Sequence, residues 1–336
     1  MSKAALFRYK GGLAPNAAAM GYMAVAYMAG LWLITAPPLL ANILGTLLLA
    51  HGLVIAAYFI HDFAHGAIFT KTVHNDLGGK VCAWITGAGF ASYAGLKEKH
   101  LRHHADRLDV VTFSYRDFLQ RQPRWVEKAV LAMEWAYIPA VELLMHGFVI
   151  VAQFTRFGEE RKQRALVMLA SRAVFFAILA CIALKALFFY AVAYILFLHV
   201  LRFMDAFQHT FDVYESKSLD AAPPELVRDR AYEQANTYSN LISVSHPILD
   251  LLTLNFAYHN AHHARPAVPW HDLPSLHEKL YGPDRTQVLP ASTLFTSWHK
   301  NRLRRVTDPD YGFVAPVGDR AAQFVGAVGV SFLTAV

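Results

Sequence analysis

The sequence predicts an all-α integral membrane protein, with four transmembrane helices paired as two hairpins and a cytoplasmic helical cap. Three observations predict it. Hydrophobic residues make up 55% of the 336-residue chain and charged residues only 17%, against about 25% charged in ordinary soluble domains. Four apolar stretches approach the roughly 20 residues needed to cross a bilayer. Eight histidines gather in three clusters just past or between such stretches: His61-Asp-Phe-Ala-His65, His100-Leu-Arg-His103-His104 and His259-Asn-Ala-His262-His263.

The first apolar stretch, residues 17–36, contains no charge. After Pro37-Pro38 the second, residues 39–60, is interrupted only by His51 and runs directly into His61. Their short connection holds no Lys or Arg, so it belongs on the side away from the cytoplasm. The first cluster then falls at the cytoplasmic end of the second span. A second pair follows at residues 165–184 and 186–204, with Lys185 marking the turn and able to snorkel to the outer interface. Arg172 inside the third span calls for either the inner interface or a polar contact within the bundle. This topology leaves both termini, residues 61–164 and residues 205–336 in the cytoplasm, within one domain covering 1–336. It fits a bacterial inner membrane or the endoplasmic reticulum.

Two further apolar stretches read differently. Residues 78–96 are interrupted by glycines and suit an interfacial or re-entrant segment. Residues 129–155 are long enough to cross, but Glu134, Pro139, Glu142 and His146 oppose insertion, each central charge costing about 2.5–3.5 kcal/mol. An amphipathic helix lying in the interface is the expectation there. The polar segment 212–245 reads as cytoplasmic.

The net charge is +6. Lys3, Arg8 and Lys10 precede the first span, and a dense basic set lies between residues 71 and 164, including Lys97, Lys99, Arg102 and Arg107. The positive-inside rule accounts for these residues without a nucleic-acid partner. The two cysteines, Cys82 and Cys181, make no CxxC pattern, which excludes cysteine-rich zinc sites and iron–sulfur clusters.

Neutral imidazole is the commonest protein ligand for iron, zinc and copper. Eight nitrogen donors exceed what one ion coordinates, so the count points to two metals. On a helix, positions i and i+4 share a face, as do i and i+3. His61/His65, His100/His104 and His259/His263 are therefore paired for chelation, with His103 and His262 adding a third donor to their clusters. Zinc hydrolases use three ligands and often a nearby Glu base, and no HExxH is present. Paired iron suits an imidazole-rich site for oxygen chemistry, but spacing alone does not separate iron from copper. A metal transporter or sensor would place ligands near the bilayer midplane, whereas these clusters lie outside the apolar stretches.

HDFAH, HLRHH and YHNAHH, in this order and with a helix pair between the second and third, resemble the three histidine boxes of membrane fatty acid desaturases and their relatives. The resemblance covers roughly residues 40–280. It implies two Fe ions held by nine histidines: His61, His65, His100, His103, His104, His209, His259, His262 and His263. His209, just past the fourth span, is the ligand outside the boxes. Asp205, one turn earlier, stands where the family carries an Asn that holds a metal-bound water. It is open to three catalytic-site roles: direct ligation, holding the water, or orienting His209. Asp62, Asp106 and Asp109 are positioned to accept ring N–H bonds, and Asn255 is expected to hydrogen-bond near the third box.

The implied chemistry is O2-dependent oxidation of an unactivated C–H bond in the acyl chain of a lipid or free fatty acid, desaturation first. Carotenoid ketolation or hydroxylation is the alternative suggested by His262-His263-Ala-Arg-Pro-Ala-Val-Pro-Trp270. Acyl hydroxylation, acetylene formation and decarboxylation to a terminal alkene use the same scaffold. Tyr58, Phe59, Phe197, Phe203 and Phe207 are candidates for an acyl tunnel or for lipid-facing packing. The chain carries no haem, flavin or nicotinamide motif, so electrons are expected from a ferredoxin, rubredoxin or cytochrome b5 type donor. Lys97, Lys99 and Arg102 on the basic cytoplasmic face are the expected docking residues.

Overall fold

The computed structural model describes residues 6–155, 158–215 and 221–335. The chain is mostly helical. In order the helices are α1 (Leu13–Thr35), α2 (Leu39–Ala64), α3 (Thr72–Thr86), α4 (Tyr93–Arg102), α5 (Tyr115–Gln120), α6 (Arg124–Trp135) and α7 (Ala140–Thr155). They continue as α8 (Glu159–Ile182), α9 (Lys185–Ala206), α10 (Arg230–Ala235), α11 (His259–Ala264), α12 (Leu273–Tyr281), α13 (Ala291–Lys300) and α14 (Arg304–Thr307). Two short strands, β1 (Asp109–Val111) and β2 (Val213–Glu215), pair in parallel with Asp109 opposite Val213. The chain divides into two compact units, Met1–Tyr93 with Gly147–Val200 and Ala94–His146 with Leu201–Val336.

Helices α1, α2, α8 and α9 are each long and apolar enough to cross a membrane. They match the four predicted spans, extended by a few residues at their ends. Val25, Met28 and Trp32 on α1 and Ile178 and Ile182 on α8 are exposed, as lipid-facing side chains are. In water, a surface this apolar would be a liability. Helices α1 and α2 pack through small residues. A Cβ on Gly30 would meet Leu49 backbone atoms at 2.8 Å, and one on Gly45 would meet the Leu33 Cβ at 2.6 Å. Such close approach substitutes for the missing hydrophobic drive between helices in lipid.

The α1–α2 turn is held by Asn42, whose Nδ2 donates to the carbonyls of Leu33 and Ala36 at 2.9 and 2.8 Å. Lys185 donates to the Ala36 carbonyl and to Asn42 Oδ1. The lysine expected to snorkel therefore ties the α8–α9 turn to the α1–α2 turn. Arg172 is buried, stacks over Trp84 at 4.6 Å and donates to the Ile85 carbonyl at 3.5 Å, a polar contact within the bundle as one of the two expectations had it. His51 bonds with Tyr22.

The second unit buries much more charge. Arg202 on α9 lies 2.6 Å from Glu134 and 3.2 Å from Glu142, all three side chains nearly inaccessible. Removing one member of such a buried set costs about 3–5 kcal/mol. This pairing explains how residues 129–155 accommodate two carboxylates. The single helix expected there is instead α6 and α7, broken around Tyr137 (φ 59°) ahead of Pro139. Helix α7, at 16 residues, is about 24 Å long, shorter than the hydrocarbon core. The stretch 78–96 becomes the end of α3, a 3-10 turn at Ala88–Phe90 and the start of α4.

Candidate metal centre

The second histidine box begins on α4 and ends in a π-helical turn, His103–Arg107. Such a turn inserts an extra residue per hydrogen-bonded ring and is frequent at functional sites. Here it separates the box's donors. His100 and His104 stay together with their Nε2 atoms 3.2 Å apart, while His103 joins a different group. Its Nε2 lies 3.2 Å from that of His263.

The third box, on α11, divides in the opposite sense. His259 and His263, one turn apart, join His103 and His209 in a group whose ligand atoms lie within 4.8 Å of one another. His262 turns the other way, with its Nε2 3.1 Å from that of His104. Each of these boxes thus gives a helical pair to one group and a single histidine to the other. The i, i+4 pairings are as expected; the crossing of His103 and His262 is not visible from spacing.

Short backbone pairings bring these elements together. β1, directly after the second box, lies beside β2, directly after His209, and Asp109 N donates to the Asp212 carbonyl at 2.9 Å. An antiparallel bridge pairs His209 with Thr237. The third box is stapled to the same segment. Asn260 N donates to Ser239 Oγ, and Asn260 Nδ2 donates to the Thr237 carbonyl, both at 3.1 Å.

The outer ring nitrogens of His103, His209 and His263 are held. His103 Nδ1 donates to the Leu108 carbonyl at 2.7 Å, and Asp109 Oδ1 lies 3.4 Å from the same atom. His263 Nδ1 donates to Glu233 Oε1 at 3.0 Å. His209 Nδ1 and Thr237 Oγ1 are 3.4 Å apart. A proton fixed on Nδ1 leaves the Nε2 lone pair directed inward. Burial pushes His103 down to about 4, against the Leu108 hydrogen bond that favours its protonated form. Burial and then the neighbouring imidazoles hold His209 and His263 well below the usual range. His103, His209 and His263 are therefore held as neutral nitrogen donors, and the ligand atoms of all four histidines converge. His209 and His259 approach to 2.7 Å between Nε2 atoms. Ligands about 2.0–2.1 Å from one ion sit roughly 3 Å apart when they subtend a right angle. The donor set fits a metal ion by chemistry and spacing.

His61 and His65 close α2 in the first unit. His61 is buried, its Nδ1 lies 3.0 Å from Asp62 Oδ1, and the two imidazole rings stack edge-on at 4.8 Å. Asp62 and Asp109 thus take positions expected of ring-orienting carboxylates. Asp106 does not, and accepts from Ala222 N instead. Asn255 hydrogen-bonds beside the third box as expected, to backbone: its carbonyl accepts from Tyr258 N at 3.0 Å. It is left-handed at φ 55° and donates to the Trp270 carbonyl, holding the loop ahead of the third box.

Asp205 lines a cavity of about 50 Å³ together with Lys99, His100, His103, Asp109, His209, His259 and Phe332. Its Oδ2 is buried with no hydrogen-bond partner. Burial pushes Asp109 up to about 7, opposed by Lys99. The expectation of Lys99 as a docking residue fails. It is 3% exposed and donates to the carbonyls of Ser331 and Thr334. Of the aromatic residues expected either at an acyl tunnel or facing lipid, Tyr58, Phe59, Phe197 and Phe207 are buried, which removes the lipid-facing alternative for them. Phe207 packs in a core with Phe203, Trp298 and Phe324, and Tyr58, Phe59 and Phe197 are fully buried. Phe256 and Phe332 are the aromatic side chains at the cavity.

Sequence reasoning missed Glu233. It lies in the polar segment 212–245 read as cytoplasmic, and it is 1% exposed. Arg107 and Arg230 approach its other oxygen at 3.4 Å. Burial raises its carboxyl, and the two arginines oppose that rise. A lone Glu 30 residues before its histidine leaves no local signal.

A family model described as fatty acid desaturase matches residues 36–293. The chain belongs to the fatty acid desaturase family. All three histidine boxes, Asp205, His209 and Glu233 fall within the matched residues. Membership makes this desaturase-family protein an oxidoreductase, and the four apolar helices place it among membrane proteins. A search of curated proteins finds no match to the chain.

Proposed function

We propose that the chain is a membrane diiron oxidase of acyl chains and that its reaction is desaturation. The observation that carries this reading is the convergence of seven buried or half-buried imidazoles, six from two interleaved boxes together with His209, into two groups. In this reading one iron is held by His103, His209, His259 and His263. The other is held by His100, His104 and His262, with His61 and His65 from the first box completing it. Two bound irons would supply the activation of dioxygen.

The reaction balances as one saturated –CH2–CH2– unit, one O2, two electrons and two protons giving –CH=CH– and two waters. The electrons would come from an external protein donor, and the basic residues flanking the apolar helices support docking on the cytoplasmic side. Lys99 is not part of that surface. The chain's own residues hold imidazoles in one tautomer, through the Leu108 carbonyl and Glu233, and keep bulk water from the centre by walling it with Val110, Phe256 and Phe332. Asp205, facing the cavity with an unused oxygen, is the group placed to hold a water or a proton beside His209.

The test is expression in a host of defined lipid content, with metal analysis of the purified protein. About two irons per chain and a new alkene in the lipid fraction are expected. Tightly held zinc or copper with no iron would refute the diiron reading. Only ketolated or hydroxylated pigment would move the substrate to terpenoids.

A further inference from the structure

The cavity beside the metal centre is walled on one side by a part of the chain that lies outside the residues matched by the family model. Residues 326–335 run as an irregular segment through the second unit and are nearly all buried. Gly326, at φ 86°, begins it: a Cβ there would meet the Ala206 carbonyl at 2.7 Å. Ala327 N donates to that same carbonyl at 2.9 Å, one residue beyond Asp205. Val328 enters the core formed by Tyr115, Val141, Met145 and Val306. The segment then passes over Lys99, whose ammonium donates to the Ser331 carbonyl at 2.9 Å and the Thr334 carbonyl at 2.8 Å. Val330, just ahead of the first anchor, and Phe332, between the two, line the cavity. The Phe332 ring lies 6.2 Å from both the His100 and the Phe256 rings.

The space enclosed, about 50 Å³, admits a few molecules the size of water. It is far smaller than the roughly 300–1,000 Å³ of sites that enclose organic ligands. A chain of methylenes reaching the histidines must therefore be accommodated against this wall. We propose that Phe332, clamped by the Lys99 anchors, is a specificity-determining residue that limits which part of a substrate chain reaches the metal centre. The substrate named here rests on the acyl-oxidising reading; the wall itself does not.

Two measurements on iron-loaded Phe332→Ala, Phe332→Leu and Phe332→Trp proteins, with iron content checked in each, separate the two claims. The first is the position of the new double bond across straight-chain acyl substrates of graded length. The second is the affinity of the ferric protein for alkyl hydroxamates of two and ten carbons, followed by their visible charge-transfer band. One methylene of fit is worth about tenfold or more in discrimination. Phe332→Ala is expected to improve the ten-carbon affinity relative to the two-carbon one by about tenfold and to shift the oxidised position. Phe332→Trp should move both the opposite way, with Phe332→Leu between. An unchanged hydroxamate ratio with iron retained overturns the wall. A changed ratio with unchanged products overturns the specificity role. A changed ratio in a protein that oxidises no acyl chain keeps the wall and rejects the acyl reading. Where Phe332→Ala fails to fold, the Leu and Trp pair decides on the same readouts.

Discussion

His103, His209, His259 and His263 all belong to one compact unit and converge there as a finished set of four donors. His100, His104 and His262 belong to the same unit, yet there they number three. The first group draws on two boxes and the end of α9, and its outer nitrogens meet the Leu108 carbonyl, Glu233 and Thr237. The second draws on the leftover members of the same two boxes. One unit thus holds a group of four donors, three of them with anchored outer nitrogens, and a group of three, to which the proposed function adds the first box. Outer-sphere anchoring governs metal affinity as much as donor count does, so the two groups should respond differently to mutation.

The largest difference is expected from removing whole pairs. His259→Ala/His263→Ala should abolish oxidation and leave Glu233 buried without its imidazole, so that iron falls from about two per chain to one or none. His61→Ala/His65→Ala should also abolish oxidation but retain one iron, because the four-histidine group is untouched. Iron quantified against protein concentration checks this. Two irons retained in the His61/His65 variant would break the proposed assignment of the first box.

A smaller effect is expected at Glu233. The Gln variant keeps the shape and can still accept the His263 N–H through its amide oxygen, but loses the negative charge held between Arg107 and Arg230. Loss of such an outer-sphere partner costs about 10–100-fold in metal affinity. Chelator competition should show one iron leaving earlier than in the wild type while the other is held as before. Equal weakening of both irons would mean that Glu233 supports the unit as a whole and not one group.

Glu233 also marks where the sequence stops being informative. The four spans were legible because an apolar run of bilayer length has few other uses, and the His100/His104 and His259/His263 pairs because i, i+4 neighbours share a helix face. The crossing of His103 and His262 was not, since it depends on a π-helical turn and on the pairing of β1 with β2. Lys99 looked like surface charge from its basic neighbourhood, and only the fold shows its ammonium capped by two carbonyls. The division of 129–155 into α6 and α7 follows from Arg202, which lies about 60 residues further on and gathers both glutamates. Each of these features is a long-range contact made by a residue whose local pattern points elsewhere.

The smallest expected effect is at Thr237, and it measures how finely the four-histidine group is built. His209 is the donor outside the boxes, and its outer nitrogen has a longer side-chain contact than those of His103 and His263. Thr237 Oγ1 is 3.4 Å away and already donates to the Glu233 carbonyl at 2.6 Å. The backbone bridge between His209 and Thr237, together with the stacking of the His209 ring on Phe211 at 4.0 Å, fixes that ring whatever the hydroxyl does. Thr237→Val keeps the shape and the bridge and removes only the hydroxyl. Its cost should be at most that of one weak hydrogen bond, about 0.5–1.5 kcal/mol, a few-fold in iron affinity. Chelator competition on Thr237→Val beside Glu233→Gln makes the comparison directly. A Thr237→Val loss as large as that of Glu233→Gln would show that His209 is oriented by its side-chain contact, and that the preorganisation of this group rests on its hydroxyl and carboxylate anchors more than on the backbone pairings around it.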